Sequence, residues 1–79
     1  LSSCPYLTEL NVPYNGLGTL DISSCMALTD LNCAENRLEK LDMAGREGLR
    51  MLFCYGNRLS VLDLSKCSSL TLVNCGAND

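Results

Sequence analysis

The sequence predicts a repeat solenoid of the α/β or mostly β class, with one parallel sheet and little or no helix. Apolar residues, asparagines and aspartates recur every 21 residues, and no insertion or deletion breaks the register. Apolar and polar side chains alternate over a short segment of each repeat, which is typical of a strand with one buried face. Twenty-one residues leave little room for a helix on the return path, so turns and extended chain must make up most of each repeat.

The repeats begin at Leu7, Leu28, Leu49 and Leu70, and each position of the repeat forms a column of similar residues. The next columns are Leu10, Leu31, Leu52 and Val73; Val12, Cys33, Cys54 and Cys75; and Asn15, Asn36, Asn57 and Asn78. They are followed by Leu17, Leu38 and Leu59; Leu20, Leu41 and Leu62; and Ile22, Met43 and Leu64.

These columns spell L-x-x-L-x-[C/V]-x-x-N-x-L-x-x-L-D-[L/I/M], which resembles the leucine-rich-repeat family, whose pattern is L-x-x-L-x-L-x-x-N/C-x-L. The match covers nearly the whole chain. The unit L-T-x-L-N-C-x-x-N-x-L-x-x-L-D-L-S-x-C is most similar to short 21-residue bacterial repeats, especially those of Bacteroidetes surface proteins. The resemblance implies a right-handed, curved solenoid of about four coils with its parallel sheet on the concave face.

The alternation predicts strands near residues 9–13, 30–34, 51–55 and 72–76, each followed by a sharp turn. A second extended stretch is expected at Leu20–Ile22, Leu41–Met43 and Leu62–Leu64. A turn or short 3₁₀ segment started by a serine hydroxyl is expected at Ser23–Met26 and Ser65–Ser68.

The asparagine column (Asn15, Asn36, Asn57 and Asn78) has a predicted structural role. The turn after each strand leaves backbone groups without ladder partners, and a carboxamide offers both donors and an acceptor. We therefore expect these side chains to join adjacent coils.

The six cysteines fall into two columns, one of which replaces a core leucine. Cysteine is small and apolar enough to fill a narrow coil, so buried free thiols are expected. One disulfide, most plausibly Cys4–Cys25, and a soft-metal site are the alternatives. Free thiols indicate a reducing or anaerobic setting, which fits the surface of an anaerobic bacterium or the cytoplasm.

Asp21, Asp42 and Asp63 form an acidic column that could bind calcium, but such aspartates more often accept hydrogen bonds from the next turn. The chain has no histidine and no paired catalytic residues, so no enzyme activity, metal or cofactor is predicted. Arg46 interrupts the second cysteine column, and we expect it to swing outward towards Glu47 because a core position would leave it unpaired.

Composition and charge exclude several kinds of partner. The net charge is −3 and the basic residues are scattered, which argues against nucleic acid and anionic lipid. The longest apolar runs are too short to insert into a membrane. We interpret residues 1–79 as a single solenoid segment of a longer protein, uncapped at both ends and therefore prone to end-to-end self-stacking.

The outward side chains of the predicted strands form one continuous face. Three rows of this face are small, polar or acidic, but the third row is Met51, Phe53 and Tyr55, and Leu72 extends it. An exposed apolar cluster with aromatic residues is typical of a binding surface. The predicted ligand-binding residues are Met51, Phe53, Tyr55, Leu72, Asn32, Asn74, Asp30 and Tyr14.

The predicted function is recognition of a protein, or alternatively a glycan stacked on Tyr55 or Phe53 with amides contacting its hydroxyls. The rival hypothesis is a structural spacer or adhesin stalk without a ligand of its own. A spacer tolerates serine at positions 53 and 55, whereas a binder loses its ligand with its fold intact.

Overall fold

The computed structural model describes residues 5–78, which form one mostly β structure built around a four-stranded parallel sheet. The strands are β1 (Glu9–Asn11), β2 (Asp30–Asn32), β3 (Met51–Phe53) and β4 (Leu72–Asn74). They lie in chain order. Residues 5–78 contain no helix and therefore no membrane-spanning helix.

The register of the sheet follows the sequence period. Each strand residue pairs with the residue 21 positions later, so that Leu10, Leu31, Leu52 and Val73 form one row across the sheet. A shift by one residue would turn these apolar side chains to the solvent face. The central members, Leu31 and Leu52, are almost completely buried. The predicted order and direction of the strands are therefore confirmed.

The strands are two residues shorter than predicted. Beyond β2, the Cys33 amide still donates to the Phe53 carbonyl at 2.8 Å, but the Ala34 amide donates to the side chain of Asn32 at 3.2 Å. Gly76 makes the same local bond to Asn74 at 3.3 Å. These bonds curl the chain away from the strand direction, since an asparagine side chain that accepts an amide two residues later imitates a turn.

The expected second extended stretches do not form strands. Leu20–Ile22 and its equivalents have no regular secondary structure, so extended chain at these positions stays a prediction. The Ile22 carbonyl is used within its own coil, where it accepts from the Cys25 amide at 3.0 Å. Met43 and Leu64 do the same for the amides of Arg46 and Cys67. A local turn therefore replaces a second ladder.

These turns are organised by aspartate more than by serine. Oδ1 of Asp21 accepts the Ser23 amide at 2.9 Å, and Asp63 accepts the Ser65 amide at 2.9 Å. Bonds from the side chain and the backbone of the following serine lower the pKa of both aspartates below the usual value. Asp42 accepts the Ala44 amide at 3.0 Å, although no serine stands there.

The core is made of the repeating columns. The most deeply buried leucines come from the second and third repeats and are Leu28, Leu31, Leu38, Leu49 and Leu52, and Cys33 and Cys54 are buried with them. Equivalent leucines of the first and last repeats are only partly buried and pack against this centre. The best-covered part of the core therefore lies behind β2 and β3, which fixes the middle of the sheet.

Stacked asparagines join the coils behind the sheet. Nδ2 of Asn36 donates to the carbonyls of Val12 at 3.0 Å and Cys33 at 2.9 Å, and Oδ1 accepts the Leu17 amide at 3.0 Å. Asn57 and Asn78 repeat these bonds one and two coils later. Each of these amides therefore serves its own coil and the preceding one.

The cysteines differ from expectation. Cys54 and Cys75 form a disulfide between adjacent coils, with their Cα atoms 4.9 Å apart. The prediction of a free thiol at both positions was wrong, because parallel coils in register bring equivalent residues to bridging distance. Cys33 and Cys67 remain buried thiols. The alternative bridge Cys4–Cys25 involves a residue outside the described part of the chain.

The buried thiol of Cys33 and the disulfide of Cys54 and Cys75 differ in their chemistry. Burial raises the pKa of the Cys33 thiol to about 11, which makes it a poor nucleophile at neutral pH. The inference of a reducing or anaerobic setting loses its basis at Cys54 and Cys75, because these residues are oxidised.

Arg46 also contradicts its prediction, since its side chain is buried and does not turn towards Glu47. Its Nη1 atom donates to the carbonyls of Ile22 at 2.8 Å and Cys25 at 2.5 Å, and Nη2 contacts the sulfur of Met26 at 2.9 Å. The preceding turn therefore supplies acceptors that satisfy most of the guanidinium. Nε is buried and has no hydrogen-bond partner within residues 5–78.

Candidate functional site

The candidate site is the side of the sheet that faces away from the core, which we call the open face. It carries the first and third residues of every strand: Glu9, Asn11, Asp30, Asn32, Met51, Phe53, Leu72 and Asn74. Their positions follow from the core, because burying Leu10, Leu31 and Leu52 forces both neighbours in each strand to the opposite side.

The register brings unlike residues together on this face. Asp30 lies between Glu9 and Met51, and Asn32 lies between Asn11 and Phe53. Adjacent parallel strands are about 4.8 Å apart, so each pair is in side-chain contact range. The open face consequently has two halves. The half on β1 and β2 carries carboxylates and side-chain amides, and the half that begins at β3 is apolar.

A shallow depression of about 240 Å³ lies where the two halves meet. It is lined by Glu9, Leu10, Asn11, Asp30, Leu31, Asn32, Met51 and Phe53. Four of the predicted ligand-binding residues therefore line one depression. Glu9 and Asn11 were missed as site residues, although their place in the repeat, 21 residues before Asp30 and Asn32, was the signal for them.

The remaining predicted residues lie around this depression and do not line it. Tyr55 follows β3 and is partly buried, whereas Leu72 on β4 is 47% exposed beside Met51. Asn74 pairs with Phe53 and is exposed. Tyr14, in the turn after β1, is 73% exposed. The apolar cluster thus continues across β3 and β4, and Tyr14 stands apart from it.

The carboxylate of Asp30 is poorly compensated. Its Oδ1 atom is buried and has no hydrogen-bond partner among the described residues. The nearest cation is Arg50, whose Nη2 atom is 3.9 Å from Oδ1 and whose side chain is 63% exposed. At that distance the two groups form an ion pair without a hydrogen bond. Exposed pairs of this kind contribute little to stability.

The side-chain nitrogens of Asn11, Asn32 and Asn74, on the open face, form no hydrogen bond with residues 5–78. Oδ1 of Asn32 accepts the Ala34 amide and Oδ1 of Asn74 accepts the Gly76 amide. Asn11 has no equivalent bond, because the residue two positions later is Pro13, which lacks an amide hydrogen. The side-chain nitrogens of these three residues are therefore donors that a bound molecule could use.

The acidic column on the other side of the coils is occupied by its own turns. Asp21, Asp42 and Asp63 each accept the amide two residues later. Within the part of the chain that the structure describes, no group of three or more metal-ligating side chains is gathered in one place.

No family model matches this chain, and comparison with curated proteins and with solved structures finds no match either.

Proposed function

We propose that this chain is a leucine-rich-repeat solenoid that acts as a recognition module for a protein ligand. The fold proposal is supported by four parallel strands at a regular period of 21 residues and by the asparagine bonds between successive coils. A right-handed solenoid with the open face on its concave side is the arrangement that the sequence pattern favours.

One observation carries the functional proposal: residues 5–78 cover only in part the apolar row formed by β3 and Tyr55. Met51, Phe53 and Tyr55 are only partly buried, and Leu72 next to them is 47% exposed. Aromatic and methionine side chains grouped on a surface are typical of interface centres. A glycan that stacks on Phe53 or Tyr55 is a variant of the same proposal.

The second candidate is a structural spacer or adhesin stalk. Its support is the regular core, which needs no ligand to hold the coils together. End-to-end stacking between copies stays a prediction of either candidate, and Val73, which is 41% exposed on β4, is the apolar residue that it would cover.

The double variant Phe53→Ser, Tyr55→Ser tests recognition against the spacer hypothesis. Wild type and variant are used to capture ligands from a host-cell lysate and from a glycan panel, after circular dichroism has shown equal folding. We expect a ligand of the wild type to be lost, since removal of an interface aromatic commonly weakens binding by about 2 kcal/mol or more.

Val61→Ser is the matched control, because Val61 is 79% exposed and lies outside the four strands. It should capture the same ligand as the wild type. Equal capture by the double variant, or no capture by any of the proteins, would contradict recognition through this face and favour the spacer.

A further inference from the structure

The two halves of the depression differ in chemistry, and this difference specifies a ligand. Glu9 and Asp30 carry negative charge on one side, whereas Met51 and Phe53 present an apolar wall on the other. A ligand that fills the whole depression must be cationic at one end and apolar at the other. A neutral sugar or a wholly apolar segment would leave one half unmatched.

Asp30 is the stronger of the two acidic determinants. Its side chain is only 27% exposed, and its buried oxygen has no hydrogen bond from residues 5–78. Arg50 partly offsets this charge from 3.9 Å, but its side chain is 63% exposed and forms no hydrogen bond with the carboxylate at that distance. A ligand guanidinium would take the place of Arg50 at Asp30 and would also be attracted to Glu9 on the neighbouring strand.

The side-chain amides of Asn11 and Asn32, next to the two carboxylates, favour a peptide as the molecule that bears the cationic group. The Asn32 side-chain nitrogen forms no hydrogen bond with the described residues, while its oxygen is held by the Ala34 amide. Its orientation is therefore fixed as a donor, which suits a main-chain carbonyl. Asn11 offers both a donor and an acceptor beside it.

The spacing of the strands sets the spacing within the peptide. A cation between Glu9 and Asp30 lies about 7 Å from the row of Met51 and Phe53, because adjacent strands are about 4.8 Å apart. Alternate side chains of an extended peptide are about 6.6 Å apart and point the same way. A basic residue and an apolar residue two positions apart therefore fit the two halves together.

We propose that the open face binds an extended peptide segment with a basic residue and an apolar residue two positions apart, the basic one at Glu9 and Asp30 and the apolar one on Met51 and Phe53. This inference rests on the recognition function proposed above and names the chemistry of its partner.

The probe is a fluorescein-labelled peptide with the sequence Gly-Arg-Ser-Leu-Ser-Gly, and binding is measured by fluorescence anisotropy. Two control peptides replace either the arginine by glutamate or the leucine by serine. The wild-type protein should bind the first peptide most tightly and both controls at least about tenfold more weakly, since each control removes one of the two contacts.

Two protein variants should change the affinity in opposite directions. Asp30→Asn keeps the size of the side chain and removes its charge, and we expect about tenfold weaker binding of the arginine peptide. Arg50→Ala removes the competing internal cation, and we expect binding to strengthen about threefold. A role of Asp30 in folding alone would not predict an opposite effect for Arg50, and circular dichroism checks that both variants are folded.

Equal binding of the arginine and glutamate peptides, or unchanged affinity in both variants, would overturn the basic-peptide inference. Binding of a neutral oligosaccharide without binding of the peptide would also overturn it and replace the peptide with a glycan. These results are separate from the capture experiment, because loss of a ligand in the Phe53 and Tyr55 variant would still support recognition if the peptide chemistry were wrong.

Discussion

Asn36 shows how much one side chain contributes to this fold. It donates to the carbonyls of Val12, Cys33 and Ala34 and accepts the amides of Asn15 and Leu17. The two amide hydrogens are shared among three carbonyls, so all its bonding capacity is used. The side chain of Asn15, in the first coil, is exposed and forms one hydrogen bond with residues 5–78, donated to the Pro13 carbonyl.

Asn36→Ala should therefore lower the free energy of unfolding by about 2–3 kcal/mol, because it leaves buried carbonyls and amides without partners. Urea unfolding followed by circular dichroism measures the change. Asn15→Ala is the matched control and should cost less than about 1 kcal/mol. Equal costs at the two positions would contradict the role of burial and of the bonds between coils.

A second residue-scale feature is a column of positive φ in the turn after each strand. Tyr14, Glu35 and Ala77 have φ values of 58°, 55° and 54°, and Gly56 has 72°. The position is strained for residues with a side chain, so Gly56 is the one member that adopts it readily. A Cβ atom at Gly56 would also lie 2.6 Å from Cδ of Glu35.

We expect Gly56→Ala to destabilise the protein by about 1 kcal/mol, from backbone strain and displacement of the Glu35 carboxylate. Gly18→Ala is the control, because Gly18 has ordinary φ and open space around its Cα, and it should be neutral or slightly stabilising. The midpoints of thermal unfolding compare the two, and a stabilising effect at Gly56 would argue against the strained turn.

The elements that depend most on tertiary contacts are the turns and the last strand. Arg46 occupies the place where Cys25 and Cys67 stand in neighbouring coils, and it packs inward because Ile22 and Cys25 offer carbonyls to its guanidinium. β4 has three exposed residues, yet the Cys54–Cys75 bridge ties its coil to the third one. A covalent bond thus supports the least-covered strand.

Cys75→Ala should release the fourth coil before the rest of the protein unfolds. The disulfide closes a 21-residue loop, which corresponds to about 3 kcal/mol. Hydrogen exchange of the Cys54 and Gly56 amides, which donate to Asn74 and Gly76, should accelerate up to roughly a hundredfold.

The Cys33 and Glu35 amides are the internal reference, since they donate to the third coil and not to the fourth. Their exchange should change much less. Uniform acceleration at all four amides would show that the bridge stabilises the whole molecule and not the last coil alone.

At the scale of the whole molecule, the core-facing side of the sheet is uniform from coil to coil, whereas the open face varies. The row of Leu10, Leu31, Leu52 and Val73 differs little from coil to coil, whereas the neighbouring row runs Glu9, Asp30, Met51 and Leu72. The change from acidic to apolar occurs at the centre of the sheet. The most deeply buried part of the core lies behind this point, which favours a preorganised binding surface.

The 21-residue period by itself determined the parallel order, the register and the composition of each face of the sheet. Alternation along a strand and equal repeat lengths leave one way to bury every leucine column. The asparagine contacts between coils follow from the same period, because equivalent residues of adjacent coils must stack.

The tertiary structure alone decided the local departures from the repeat. Whether Arg46 points inward depends on carbonyls one coil away, and the repeat alone does not say which two of the three cysteines Cys33, Cys54 and Cys75 form the bridge. The depression likewise needs Glu9 and Asn11 beside β2. A sequence period fixes which residues are equivalent, but side-chain rotamers and hydrogen-bond partners are set by the neighbours that the packed coils supply.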